Sequence, residues 1–139
     1  MRSLWSQGGK IITTLILTSL ILYLPILTNP SILLNRGNDL EEFFWPIFYF
    51  AKSNILLSGQ IPLWNNLFFS GTPLITDPQS GIFYLPNILF LLFRIDSAFI
   101  ISIFLHSLIG GTGMYLLSRR GLNFNSFAAL FTSITYILW

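Results

Sequence analysis

The fold turns on residues 60–87, which read Gln60-Ile61-Pro62-Leu63-Trp64-Asn65-Asn66, then Ser70-Gly71-Thr72-Pro73, then Asp77-Pro78-Gln79-Ser80-Gly81, then Tyr84-Leu85-Pro86-Asn87. Four of the chain's seven prolines fall here. Proline fixes φ and removes a backbone donor, so this density excludes a regular helix. The stretch also carries Trp64, Phe68, Phe69, Phe83 and Tyr84, too much apolar surface for a solvated linker. A proline-locked, polar and aromatic segment between apolar runs is an ordered loop at a membrane surface. Its plainer role is that of an interfacial connector, because Trp and Tyr collect at headgroup depth without doing chemistry.

Composition sets that membrane context. Of 139 residues, 53% are hydrophobic and 9% charged, whereas soluble domains carry roughly 25% charged residues. The chain is therefore read as an all-α integral membrane protein. Cysteine is absent, which excludes disulfides and thiolate chemistry. One histidine without a metal-type cluster argues against a zinc site. The seven basic residues are scattered, with no patch or stripe for nucleic acid.

Working outward, residues 11–27 form an uncharged apolar run near the lower limit for a span. A signal peptide is the rival, but no small-x-small cleavage site follows the run. An uncleaved first transmembrane helix is expected, loosened near Pro25. Residues 28–96 form a long loop. Within it Phe43, Phe44, Ile47, Phe48, Ala51 and Ile55 recur at three- and four-residue spacing. This predicts an amphipathic interfacial helix over 39–57, capped by Asn38 or Asp39 and bent at Pro46. Glu41 and Glu42 suit its first turn. A second interfacial or re-entrant helix is expected over 82–93, a second span over 97–117, and the start of a third over 126–139. That last run is short of a span, as if a longer protein were cut there. The whole is read as one membrane domain, 1–139.

In the second span, Ser107, Gly110, Gly111 and Gly113 permit close helix approach. Gly110-Gly111-Thr112-Gly113 makes a poor phosphate loop, with no preceding strand and no following lysine. His106 lies mid-span, where a histidine is either functional or packed in a bundle. Arg2, Lys10, Arg119 and Arg120 flank the spans on one side without an acid, whereas all five carboxylates lie between the spans. The basic excess marks the cytoplasmic side, so residues 28–96 are expected to face outward.

The ordered set Asn38-Asp39, Pro46, Gly59-Gln60-Ile61-Pro62-Leu63-Trp64-Asn65, Gly71-Thr72-Pro73, Asp77-Pro78-Gln79-Ser80-Gly81 and Tyr84-Leu85-Pro86-Asn87 resembles the N-terminal part of bacterial YfhO-like multi-spanning membrane proteins. The resemblance covers roughly residues 11–139, and the Gly-x-x-Pro-Leu-Trp-Asn run is its most specific piece. Asn66 departs from it, standing where the family usually has proline. These proteins are related to the GT-C glycosyltransferases. The resemblance implies a membrane glycosyltransferase that moves a sugar from a polyprenyl-phosphate carrier to an extracytoplasmic acceptor, such as a cell-surface polymer or lipid. It also implies that an acidic residue early in the outer loop, here Asp39, serves the chemistry. Such transfer needs a base for the acceptor hydroxyl's proton and a cation for the phosphate, which Arg36 or Lys52 could supply. The expected substrate-binding set is Arg36, Glu42, Lys52, Trp64, Asn65, Asp77 and Gln79, with the metal requirement left open.

Each of these has a simpler use: Asp39 as a helix cap, Glu42 as a solvated carboxylate, Asp77 as an Asx-turn former. The competing function is a non-enzymatic polytopic protein, a transporter subunit or surface-polymer assembly factor. A transporter places ionisable groups within its spans; here the spans hold only His106 and the acids crowd the loop.

Overall fold

The computed structural model describes residues 2–35 and 37–138. It is mostly helical, with α1 (Arg2–Thr28), α2 (Trp45–Ser58), the short α3 (Ile88–Leu92), α4 (Ile95–Leu116) and α5 (Ser126–Leu138). A two-residue antiparallel pair, β1 (Trp64–Asn65) and β2 (Thr72–Pro73), lies between α2 and α3. Two helical stretches are long and apolar enough to cross a membrane: Gly9–Thr28, with mean hydropathy 2.2, and Ile95–Gly121, with mean hydropathy 1.7. Only 11% and 6% of their apolar windows are buried in the protein, unlike the core helix of a soluble domain.

The sequence reading treats the chain as one membrane domain; the structure divides it into two compact units, Met1–Thr28 with Ile103–Trp139, and Asn29–Ser102. In the first, small residues set the helix spacing. Ser19 and Ser107 share a hydrogen bond of 3.1 Å between α1 and α4. Ser133 of α5 donates its hydroxyl to the Gly111 carbonyl of α4. A Cβ at Gly110 would come within 2.6 Å of the Tyr136 ring, and one at Gly111 within 2.5 Å of Ile137 Cδ1. Gly113 has open space around it and takes no part in this packing. Below α4 the chain widens into a π turn, Leu117–Gly121, that carries Arg119 and Arg120.

The second unit is built around α2. One side of this helix presents Phe48 to a face-to-face stack with Phe90, ring centroids 3.8 Å apart, and Phe99 meets both rings edge-on. Its other side packs Ile47 and Ala51 against Leu74, with Phe43, Phe68 and Ile82 around them. The apolar stripe that periodicity assigns to an interfacial helix is thus covered by protein.

Pro46 stands where the helix changes type. It sits in the first turn of α2, and the preceding residues Leu40–Phe44 wind as a π turn. Proline cannot donate to the carbonyl four residues back. The ladder shifts instead: the Trp45 N–H reaches the Leu40 carbonyl, five residues back. Gly59, at φ +69°, closes the helix by donating to the Ile55 carbonyl.

The helix expected over 82–93 is shorter in the structure. Residues 82–84 are not helical, and a 3-10 turn, Leu85–Asn87, leads into α3. Pro86 explains the boundary, since it disfavours helix in the residue before it and is tolerated only in a first turn.

Candidate functional site

The loop after α2 is a chain of locally determined turns. Pro62 and Leu63 lead into β1, which pairs Trp64 with Pro73 and Asn65 with Thr72. The Leu74 N–H extends the pairing to the Leu63 carbonyl at 2.9 Å. At the hairpin tip Phe69 and Ser70 are left-handed, at φ +50° and +62°, and Gly71 stands at φ +115°. The Trp64 ring lies close against Gly71: an added Cβ would be 2.5 Å from the indole Nε1. Inside the hairpin Asn65 is 1% exposed, and its Oδ1 accepts the Leu67 N–H at 2.9 Å.

Asp77 then forms an Asx turn. Its Oδ1 accepts the Gln79 N–H at 2.9 Å and caps the 3-10 turn Pro78–Ser80. Ser80, fully buried, donates to the Asp77 carbonyl at 2.7 Å. Gly81 and Asn87 lock the next turn, the Asn87 amide donating to the Gly81 carbonyl at 2.8 Å.

These turns bring three of the expected residues together. Asn65, Asp77 and Gln79 line one cavity of about 110 Å³, with Thr72 beside them and the rings of Phe43, Phe68 and Phe69 completing the wall. A lining that combines polar side chains, two of them held by hydrogen bonds to backbone N–H groups, with aromatic rings suits the edge of a small polyhydroxylated ring. Trp64 belongs to the same hairpin but is exposed and holds Gly71.

Other expected residues stand elsewhere. Asp39 is exposed at the start of the π turn and makes no capping bond. The cap is Asn38, whose Oδ1 accepts the Glu41 N–H at 2.9 Å. Glu42 accepts the Gly37 N–H at 2.9 Å, and so closes the turn ahead of its own helix. Arg36 lies outside the described residues. Lys52 is thirteen residues beyond Asp39, roughly 20 Å at helical rise. Its Nζ donates to the Phe93 carbonyl at 2.6 Å, where it lines a different cavity. Asp39 and Lys52 therefore do not form one cluster.

Sequence reasoning missed several lining groups. Thr72 lies within the Gly71-Thr72-Pro73 motif, which marked the turn but not the side chain. Trp45, Tyr49, Arg94 and Asp96 surround a second cavity with Lys52, about 250 Å³ in volume. Trp45 donates its indole N–H to Asp96 Oδ1 at 2.8 Å and stacks on Tyr49 at 5.1 Å. The Arg94–Asp96 charge pair closing an apolar run was the signal available. Among the described residues no group of three or more His, Cys, Asp or Glu side chains could hold a metal ion. Comparison with known protein families, with characterised proteins and with solved structures yields no match.

Proposed function

We propose that the chain forms part of a membrane glycosyltransferase of the YfhO-like, GT-C type, which moves a sugar from a polyprenyl-phosphate carrier to an acceptor outside the cytoplasmic membrane. The observation that carries this reading is the convergence of Asn65, Thr72, Asp77 and Gln79 with three phenylalanine rings on one cavity. It lies in the stretch whose residues carry the resemblance. Two helices long and apolar enough to span a membrane agree with it. In this proposal Asn65, Asp77 and Gln79 hold sugar hydroxyls. Asp39, exposed and free of capping duty, takes the proton of the acceptor hydroxyl as the new glycosidic bond forms. Arg36 supplies the positive charge that balances the phosphate leaving group.

The test uses membranes from cells producing the protein encoded by the whole gene, supplied with a polyprenyl-phosphate sugar radiolabelled in the sugar. Label is expected to move from the lipid extract to a polar or polymeric product, and Asp77→Ala with Gln79→Ala is expected to slow that movement. Label that stays on the carrier, at the rate of membranes lacking the protein, would favour the transport or assembly reading and end the transferase one.

The same proposal places residues 28–96 outside the cell and Arg119-Arg120 in the cytoplasm, from the asymmetry of charge. Ser118 is fully buried, so the exposed neighbour Leu122 serves as the cytoplasmic probe position, and exposed Thr76 as the outer one. In intact cells a membrane-impermeant maleimide is expected to label Thr76→Cys, and to label Leu122→Cys only after permeabilisation. The reverse pattern would invert the topology.

A further inference from the structure

Lys52 lines two cavities of the second unit at once. One is an apolar groove of about 440 Å³ between α2 and the 82–91 segment, walled by Phe48, Ile55, Ile61, Phe83, Ile88 and Phe90. The other is the 250 Å³ cavity that holds Arg94 and Asp96. The aliphatic stem of Lys52 belongs with the groove and its ammonium with the charged end, the usual division for a long basic side chain on apolar surface.

The charges at that end do not cancel. The Lys52 ammonium spends one N–H on the Phe93 carbonyl and keeps two. The Arg94 side chain is 86% exposed, and its one ion-pair contact among the described residues, Nη2 to Asp96 Oδ2, is 3.7 Å long. The other Asp96 oxygen takes the Trp45 indole N–H. Two cations against one carboxylate leave a net positive end with unspent donors. The rim of the groove is apolar: Phe83 is 69% and Leu85 81% exposed. Water is a poor solvent for such a rim, and in sequence the groove residues, 48–91, lie between two stretches fit to cross a membrane. The stacked Trp45 and Tyr49 beside the cations are of the residue types found at headgroup depth.

We infer that this groove holds one acyl chain of an anionic glycerophospholipid whose phosphate sits between Lys52 and Arg94. The apolar groove alone would accept any acyl chain; the adjoining cation pair selects for negative charge. This lipid is a resident of the fold, distinct from any sugar carrier, and the inference does not need the transferase reading.

Native mass spectrometry of the purified chain in a neutral detergent tests it directly, with no donor or acceptor present. Palmitoyl-oleoyl-phosphatidylglycerol is expected to form a one-lipid adduct at about tenfold lower concentration than the phosphatidylcholine of the same chains. Arg94→Gln, at an exposed side chain, is expected to remove most of that preference. Ile55→Trp, which fills the groove, is expected to weaken both lipids, with helix content checked by circular dichroism. If Ile55→Trp misfolds, the Arg94→Gln comparison decides. Equal binding of the two lipids, or an undiminished preference in Arg94→Gln, overturns the inference. So does displacement of the lipid by glycerol 1-phosphate at lipid-like concentration, because the groove would then contribute nothing. Polyprenyl phosphate binding that phosphatidylglycerol cannot displace would give the groove to the sugar carrier and equally end the proposal.

Discussion

Asp39→Asn is expected to slow sugar transfer by about 10²- to 10⁴-fold, the usual loss when a general base is removed, while the protein inserts and folds as before. Asparagine keeps the shape of aspartate but cannot accept the acceptor's proton. The fold has little reason to respond. Asp39 is exposed and makes no capping bond, and the helix start is held by Asn38 on the Glu41 N–H. A substitution at such a surface position changes stability by about 0.5 kcal/mol at most. The alanine variant is informative for the same reason. Were Asp39 the cap, alanine would cost about 1 kcal/mol and asparagine almost nothing; with Asn38 as the cap, both should fold alike. Both variants should therefore share the activity loss without a shared stability loss. The measurement is initial transfer rate in membranes from cells producing the protein encoded by the whole gene, normalised to protein amount, beside the thermal midpoint of purified protein. A rate within about threefold of the original, worth only about 0.65 kcal/mol of barrier, would remove Asp39 from the chemistry. Asn38→Ala is the matching control, expected to lower the thermal midpoint through the lost cap.

What could be foreseen from the sequence divides along the range of the interactions. The two span-length helices were legible because they depend on composition summed over twenty or so residues, and no partner is needed to write that signal. The Asx turn at Asp77 was legible because its hydrogen bond closes over two residues, to the Gln79 N–H. The period of α2 was legible too, but not what covers it. Ile47, Phe48 and Ala51 would show the same spacing against lipid as they do against Leu74 and Phe90. Pro46 announced a disturbance, yet the π turn ahead of it depends on how the ladder repairs a missing donor. Least legible was the meeting of Asn65 with Asp77. Two-residue strands carry no alternation, so nothing in the pattern announced a hairpin. The pairing rests on the left-handed backbone at Phe69, Ser70 and Gly71 and on the place of one indole ring. Lys52 was singled out for its charge, but its neighbours Arg94 and Asp96 lie 42 and 44 residues on and join it only through the fold.

Gly71→Ala is expected to dismantle the hairpin that carries Asn65 and Thr72. Two separate costs arise at this one position. The backbone at φ +115° is open to glycine and strained for any L side chain, roughly 1–3 kcal/mol. The new methyl would stand 2.5 Å from Trp64 Nε1 and 2.9 Å from Cε2, and overpacking of that kind typically adds about 1–3 kcal/mol. The contact falls on the ring itself, so relief requires the whole indole, 57% exposed, to swing away from the hairpin. A two-residue ladder has little stability with which to absorb either cost. The hairpin should open locally, exposing residues 66–71 to protease, while α1, α5 and residues 103–116 of α4, which lie in the other unit, keep their helix content. Transfer should fall with it, since Asn65 and Thr72 leave the cavity that Asp77 and Gln79 line. Limited proteolysis of the purified chain reads the first effect and circular dichroism the second. Combining Gly71→Ala with Trp64→Ala apportions the two costs. Removing the ring relieves the clash and leaves the φ strain, so the double variant should resist protease better than Gly71→Ala and worse than Trp64→Ala. A double variant as labile as Gly71→Ala would assign the whole effect to the backbone, and a Gly71→Ala protein cleaved no faster than the original would mean that the hairpin does not depend on this glycine.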